Sequence, residues 1–410
     1  MNDKNESMNT FASPQTGYSM ERNSQTIRID GVLYTAEEIR RRLQTQAAGA
    51  EKTHKAEKTE KMQEGRETAG SSAETSPLLA FRRELDLFLA EWFDASPYLT
   101  VQTSGSTGAP KKLAVQKARM VQSARLTCRF LGLRPGDRAL LCMPLRYIAG
   151  KMMVVRALVA GLDLCLQPPS GHPLACEERP LGFAAMIPLQ VYNSLRQPAE
   201  AARLRAIDRL IIGGGAIDRE LETALADFPG AVYSTYGMTE TLSHIALRRL
   251  NGPGASPYYE PFPTVGLSLS ATGTLVIDAP LVAEEKLKTN DVAELLPDGR
   301  FLIIGRKDNI INSGGVKIQI ETVEKALSPH ISVNFALTAV PHPKFGEAVV
   351  LLVEAGEPPR GLAEILRQLL PKYQQPKYIL AVARIPQTGS GKISRAECRR
   401  LATDRILIKQ

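Results

Sequence analysis

Between residues 98 and 235 the chain alternates short apolar or β-branched runs with stretches of helical periodicity. This alternation restricts the fold more than any other feature of the sequence. The runs 98–102, 138–143, 162–167, 183–187, 209–212 and 231–235 have strand length and composition, and helical patterns separate most of them. Strands that alternate with helices bury their hydrophobic faces best as a largely parallel sheet covered by helices. Residues 78–93 carry apolar side chains at helical spacing ahead of this region. Past Gly266 the texture changes to hairpins, GTLVIDAP and then VAELLPDGRFLIIGR, in which Asp298-Gly299 reads as the turn between two strands. From Asp308 a different mixture begins, with helices at 320–327 and 362–370 and strands at 333–340 and 348–354. The expectation is an α/β chain. A large N-terminal domain, 77–307, combines mostly parallel sheet with a β-hairpin region, and a small mobile α+β C-terminal domain spans 308–410.

Residues 1–76 read as an N-terminal extension. Within it, at 25–43, Ile27, Ile29, Val32 and Tyr34 flank an Asp30-Gly31 turn, and Thr35 with Glu38 forms a capping box at the start of a short helix. Such a unit packs on the body or stays loose. Residues 44–76 are different. Met62 is their only large apolar side chain, and from Glu51 to Glu67 five acids and five bases alternate. With no apolar face to bury, this stretch reads as a disordered linker that folding does not need.

Composition removes several functional classes. The most apolar stretch, from Met152 to Leu166, is interrupted by Arg156 and Asp163, so no run approaches the roughly 18 residues of a membrane helix. The first residues are polar and lack the apolar core of a secretory signal. Five cysteines lie far apart with no CxxC, which suits reduced thiols in a cytoplasmic protein. The five histidines include no HExxH and no close pair, so no histidine-built metal site is expected. The net charge of +8 favours polyanionic partners, whether phosphorylated small molecules or nucleic acid.

Four segments carry chemistry. Thr103, Ser104, Gly105, Ser106, Thr107 and Gly108, followed by Ala109-Pro110-Lys111-Lys112, place glycines, hydroxyls and lysine between a strand and a helix. Glycines let backbone N–H groups approach phosphate oxygens, and hydroxyls and lysine add donors and charge. A plain Ser/Gly linker would not follow a strand and end in Pro-Lys-Lys. The absence of GxxxxGK[ST], GxGxxG and GxSxG argues against Walker-type, dinucleotide and hydrolase sites. The second segment, Tyr236-Gly237-Met238-Thr239-Glu240, follows a strand. There Tyr236 can stack on a base, Thr239 can donate to a phosphate and Glu240 can hold Mg²⁺ through oxygen. Gly213-Gly214-Gly215-Ala216, also after a strand, either lets a flat ring lie on the backbone or simply makes a turn. Asp291, Arg306 and Asp308 form the third set: a carboxylate and an arginine that can hold a ribose, or turn acids with a salt-bridged arginine. The fourth, Pro386-Gln387-Thr388-Gly389-Ser390-Gly391-Lys392-Ile393, puts one lysine in a glycine loop of the small C-terminal region.

In this order and spacing the four segments resemble the adenylate-forming superfamily of acyl- and aryl-CoA ligases, adenylation domains and luciferase, over residues 78–405. The stretches MPLRYIAGKMMVVRALVAGLDL and YGMTETLSHIALR resemble its o-succinylbenzoate–CoA ligase branch, which serves menaquinone biosynthesis. The resemblance implies a two-step ligase that uses ATP, Mg²⁺ and CoA. Thr103 to Gly108 and Lys111 would cover the ATP phosphates. Tyr236 would contact adenine, and Gly214, Gly215, Ala216 and Gly237 would belong to the ATP site. Thr239 would contact the α-phosphate, Glu240 the magnesium, and Asp291 with Arg306 the ribose. Asp308 would be the hinge, Gly314 and Gly315 would line the CoA tunnel, and Lys392 would serve adenylation. Tyr147 and Ser243 would belong to the acyl pocket. Arg146, Lys151 and His244 are candidate partners for a second substrate carboxylate. The chain departs from the pattern at Lys112, where glycine is usual, at Arg146-Tyr147 in place of a histidine-containing pair, and at Ile320 in place of proline. The rival readings are a ligase for another aryl or acyl acid and a nucleic-acid-binding protein. No binding module and a single tryptophan speak against the second.

Overall fold

The structure, a computed structural model, describes residues 26–46, 76–102, 112–215, 217–388 and 393–407. A nine-stranded sheet organises the larger part of the molecule. In spatial order it contains β11 (Glu260–Pro261), β10 (His244–Arg249), β9 (Ala231–Gly237), β8 (Arg209–Ile212), β7 (Phe183–Met186), β5 (Arg138–Leu141), β6 (Asp163–Leu166), β1 (Thr26–Ile29) and β2 (Val32–Thr35). The neighbours from β9 through β1 all pair in parallel, and β10, β11 and β2 close the two ends antiparallel. Every residue of β6 and β7 is buried, as their runs, apolar but for Asp163 at the start of β6, require when both faces of a sheet are covered. The chain passes from β5 to β6 on one side and then to β7 on the other. The strand order therefore reverses between β5 and β7, and the crevice outside the carboxyl ends of these strands is where such sheets bind ligands.

The helices α3 (Lys117–Leu131), α4 (Ile148–Ala160), α5 (Pro188–Leu195), α6 (Pro198–Arg205) and α7 (Arg219–Leu225) connect these strands. From Gly150 to Ala157, α4 is buried on every side. A Cβ at Gly150 would stand 2.5 Å from the Pro144 carbonyl oxygen, so only glycine allows this helix to start against the loop after β5.

The N-terminal hairpin packs on the body. Asp30 (φ 50°) and Gly31 (φ 84°) supply the left-handed pair that a tight two-residue turn needs. β1 then adds to the sheet beside β6. The Gly31 N–H donates to Asp163 Oδ1 at 2.8 Å and the Leu166 N–H to Asp30 Oδ1 at 3.2 Å. The expected capping box is formed: the Thr35 N–H donates to Glu38 Oε2 at 2.7 Å, and the Glu38 N–H to Thr35 Oγ1 at 3.2 Å. It opens α1, which covers residues 36–46. This helix meets α2 (Pro77–Trp92) at Asp86, a fully buried carboxylate that accepts from Arg42 Nε at 3.2 Å and Arg82 Nε at 3.3 Å. Both guanidiniums also lie over the Tyr34 ring. Most of the expected linker lies outside the described residues.

β3 (Tyr98–Gln102) and β4 (Lys112–Gln116) form an antiparallel pair. An antiparallel sheet of β12 (Gly266–Leu269), β13 (Thr274–Asp278), β14 (Leu287–Leu295) and β15 (Phe301–Arg306) follows the large sheet in sequence. The remaining strands are β16 (Ile310–Ser313), β17 (Val316–Gln319), β18 (Phe335–His342), β19 (Gly346–Glu354) and β20 (Tyr378–Val382), with helices α8 (Ile320–Leu327), α9 (Leu362–Leu369) and α10 (Arg395–Leu407). Period-2 alternation splits their core. Leu337, Ala339, Val349, Leu351 and Val353 face α8 and α9, whereas Ala336, Val340, Ala348, Val350 and Leu352 face α10. The buried clusters change over between Phe301 and Ile311. Among the described residues no helix is long and apolar enough to cross a membrane, and no cluster of side chains suits a metal ion. Cys128, Cys142, Cys165 and Cys398 are buried free thiols, and Cys176 is exposed.

Candidate active site

β9 delivers Tyr236 and Gly237 to its carboxyl end, beside Gly214 and Gly215 after β8. The Tyr236 hydroxyl donates to Asp291 Oδ2 at 2.6 Å, and its ring packs edge-on against Phe301 with centroids 5.1 Å apart. Burial, and next the Asp291 charge, push the phenol well above its ordinary pKa, so it remains a donor. Asp291 on β14 stands opposite Arg306 on β15, which donates through Nη1 to Asp291 Oδ1 at 3.3 Å and through Nη2 to Asp308 Oδ2 at 2.8 Å. Asn290 Nδ2 donates to the same Asp308 oxygen at 3.1 Å. Each Asp291 oxygen thus has one partner and keeps a lone pair for a further donor such as a sugar hydroxyl. The structure therefore brings Tyr236, Asp291, Arg306 and Asp308 together in one hydrogen-bonded series.

Thr239 and Glu240 sit in the short 3₁₀ turn Thr239–Thr241 that leaves β9. Glu240 is exposed and makes no ion pair among the described residues, which leaves its carboxylate available to a hard cation. The turn ends at Leu242, a buried non-glycine residue at φ 65°. Backbone strain of this kind survives only where the surroundings impose it and collects at functional sites. Here the Leu242 N–H is held by Thr239 O at 2.9 Å and Thr241 Oγ1 donates to Ser243 O at 2.7 Å. A Cβ at Gly237 would collide with the Ser243 carbonyl oxygen, so glycine is needed for the chain to double back so closely.

Doubling back places Ser243 and His244 against α4 and α3. Arg156 Nη2 donates to Ser243 Oγ at 2.6 Å, and His244 Nε2 lies 3.0 Å from Thr127 Oγ1. Arg156 is 2% exposed, yet no carboxylate lies within ion-pair distance of it among the described residues. Its Nε is buried without a partner. Burial pushes its pKa down to about 10, which leaves it cationic at neutral pH. Burial, and then the neighbouring Arg156 charge, hold His244 well below its ordinary pKa, so its imidazole is neutral. Sequence reasoning did not single out Arg156 or Thr127 for the site. The signal for Arg156 was present, as a lone arginine inside an apolar helix.

The other acyl-pocket candidates lie elsewhere. Lys151 pairs with Glu91 Oε2 of α2 at 3.7 Å and stands over the Phe88 ring. With Arg146, Glu84, Pro144 and Pro169 it lines a cleft of about 530 Å³. Tyr147 caps α4 and bridges to Gln102, the residue just before the expected phosphate loop. Gly314 and Gly315 form the β16–β17 turn at φ 58° and 83°. Residues 103–111, Ala216 and Lys392 lie outside the described residues.

The sequence matches the profile of the AMP-binding enzyme over residues 27–302 and that of the AMP-binding enzyme C-terminal domain over residues 322–392. The chain belongs to the AMP-binding enzyme family. It is 30% identical to a probable 2-succinylbenzoate–CoA ligase of Mycobacterium tuberculosis over 76% of this chain and 86% of that one. It is 28% identical to the 2-succinylbenzoate–CoA ligase of Geobacillus kaustophilus over 78% and 72%. Among solved structures, an AMP-forming acyl-CoA synthetase-like protein of Dyadobacter fermentans matches with a TM-score of 0.55 and 32% identity, over 82% of this chain and 96% of that one. O-succinylbenzoate CoA synthetase of Bacillus subtilis, solved with ATP and magnesium, shares the fold with a TM-score of 0.61 at 21% identity, over 73% of this chain and 69% of that one.

Proposed function

We propose that this AMP-forming acid–CoA ligase acts on 2-succinylbenzoate, yielding the CoA thioester used in menaquinone biosynthesis. One observation carries the choice of acid. Arg156 is a buried guanidinium with no carboxylate of its own among the described residues, beside the strand end that bears the nucleotide-site residues. An isolated buried charge is costly, and a dicarboxylic acid that reacts at one end brings the missing counter-charge at the other. Lys151 is already paired with Glu91 and is poorly placed to do so. The names of the relatives point to the same acid.

In the first step the reacting carboxylate attacks the α-phosphorus of ATP and expels pyrophosphate. In the second the CoA thiol attacks the acyl-adenylate carbonyl and expels AMP. Asp291 and Arg306 orient the ribose, Thr239 donates to the α-phosphate, and residues 103–108 with Lys111 hold the phosphate chain. Catalysis here is positioning and charge neutralisation, with no covalent nucleophile on the protein. Glu240 would hold magnesium, which would supply charge neutralisation on the phosphates. Lys392 belongs to the small unit from residue 308 onward, which turns about Asp308 between the steps and presents Gly314 and Gly315 to the pantetheine arm. The test is pyrophosphate release with Mg²⁺, ATP and a panel of acids. The reading expects 2-succinylbenzoate to be preferred. A preference for a simple fatty acid or another aryl acid would replace the substrate, and no release with any acid would refute the adenylation step.

A further inference from the structure

We infer that Thr127, His244 and Ser243 form a directional hydrogen-bond chain that positions Arg156 to receive the unreacted carboxylate of the substrate. The inference rests on the dicarboxylic acid proposed above. The Thr127 hydroxyl lies 3.2 Å from the Ser123 carbonyl oxygen, one turn back in α3, and 3.0 Å from His244 Nε2; its single hydrogen is assigned to the carbonyl. With that assignment it accepts at His244, so Nε2 carries the imidazole proton. His244 Nδ1 is then a bare lone pair and accepts from the Ser243 hydroxyl at 3.3 Å. With its hydrogen committed to the ring, Ser243 Oγ turns lone pairs toward Arg156 Nη2 at 2.6 Å. In the opposite tautomer Thr127 would turn its hydrogen to Nε2, and Ser243 Oγ would accept from both Nδ1 and Arg156; nitrogen-15 NMR of the ring separates the two arrangements. An imidazolium would set a second cation beside Arg156, which the depressed His244 pKa opposes.

The chain fixes one edge of the guanidinium. Met153 Sδ, 3.6 Å from Nη1, is the only other partner of the guanidinium among the described residues, and it is a weak acceptor. The buried Nε–H has no acceptor. A planar fork held at one edge and unpaired at the other suits a carboxylate arriving from the substrate. Thr127 and His244 touch no reacting group in this arrangement, so they are positioning residues, and their effect should be confined to recognition of the second carboxylate.

The experiment compares 2-succinylbenzoate with its analogue in which the unreacted carboxylate is replaced by hydrogen, by steady-state pyrophosphate release on the full chain. Thr127→Val should raise KM for the diacid roughly tenfold, the size of one lost hydrogen bond, with kcat nearly unchanged. The KM of the analogue should not move, and Thr127→Ser should restore the wild-type values. Ser243→Ala should also raise KM for the diacid, and Arg156→Met should abolish the preference for the diacid. If Arg156→Met abolishes it while Thr127→Val and Ser243→Ala leave it intact, the positioning chain is overturned and the substrate reading stands. If Arg156→Met keeps the preference, both fall. Nitrogen-15 NMR of His244 in the unmutated protein decides the point even where a variant does not fold. A neutral ring protonated at Nε2 supports the chain, and one protonated at Nδ1 or a cationic ring overturns it.

Discussion

Replacing Arg156 by methionine should move stability and activity in opposite directions. Arg156 is 2% exposed, its Nε lacks a partner, and no carboxylate neutralises it among the described residues. The free enzyme therefore carries a desolvation cost without the Coulombic return that usually offsets it. Methionine has similar length, fills the same space in α4 and places no charge there. Such replacements of buried ionic groups are neutral or stabilising by about 1–4 kcal/mol. Ser243 loses one donor but keeps its hydrogen bond to His244. The substrate complex should show the reverse. Removing one member of a buried charge pair costs about 2–5 kcal/mol, and about 3 kcal/mol corresponds to a roughly 150-fold lower kcat/KM for the diacid. The assay is a pair of urea titrations without ligand, read with kcat/KM for the diacid. The pH dependence has a defined sign. Because the pKa of folded Arg156 is lowered to about 10, its cost is fully present below that pH and is relieved only as pH rises toward the unfolded value. The variant's advantage should therefore hold across the whole range below about 10. A loss of more than about 3 kcal/mol in stability with unchanged diacid preference would show that the arginine serves the core, and the reasoning would fail.

Asp86→Ala should destabilise by about 3–5 kcal/mol in chemical denaturation, because Arg82 and Arg42 lose their shared buried carboxylate; a change under about 1 kcal/mol would mean that the N-terminal unit is not fastened there. Glu240→Gln should lower activity sharply at limiting Mg²⁺ and recover part of it at high Mg²⁺, and equal activity at limiting Mg²⁺ would remove the residue from metal binding. Lys392→Ala should slow pyrophosphate release by roughly 10²–10³-fold while sparing thioester formation from preformed acyl-adenylate; equal slowing of both half-reactions would contradict domain alternation. Proteolysis between residues 47 and 75 should leave an active core, and loss of activity on cutting would show that the linker contributes to the fold.

The parallel strands were legible because burial on both faces writes itself as an unbroken apolar run, as in β7. The Asp30-Gly31 turn and the Thr35/Glu38 box were legible because each is complete within a few residues. What the hairpin does was not legible, since its docking depends on Gly31 meeting Asp163 across 132 positions, and no local pattern encodes that pairing. The acyl-pocket candidates failed to converge for a related reason. Lys151, one of those candidates, lies five positions from Arg156, which was not one of them, about one and a half turns along α4, so the two point in different directions. Lys151 reaches Glu91 on α2, and Arg156 reaches Ser243 after β9. Yet Arg156 and Asp163 were both visible as the two charges interrupting the apolar stretch from Met152 to Leu166. Asp163 is buried and takes the backbone N–H of Gly31, and Arg156 is buried with no carboxylate partner among the described residues. A helix that is apolar on every face offers no solvated side on which to place a charge. A charge there is tolerated only if the fold or a ligand answers it. For Asp163 the fold answers. For Arg156 one serine hydroxyl accepts a hydrogen bond but no carboxylate among the described residues answers the charge, so the lone arginine in an apolar helix is better read as the mark of an anionic ligand than as a break in the hydrophobic pattern.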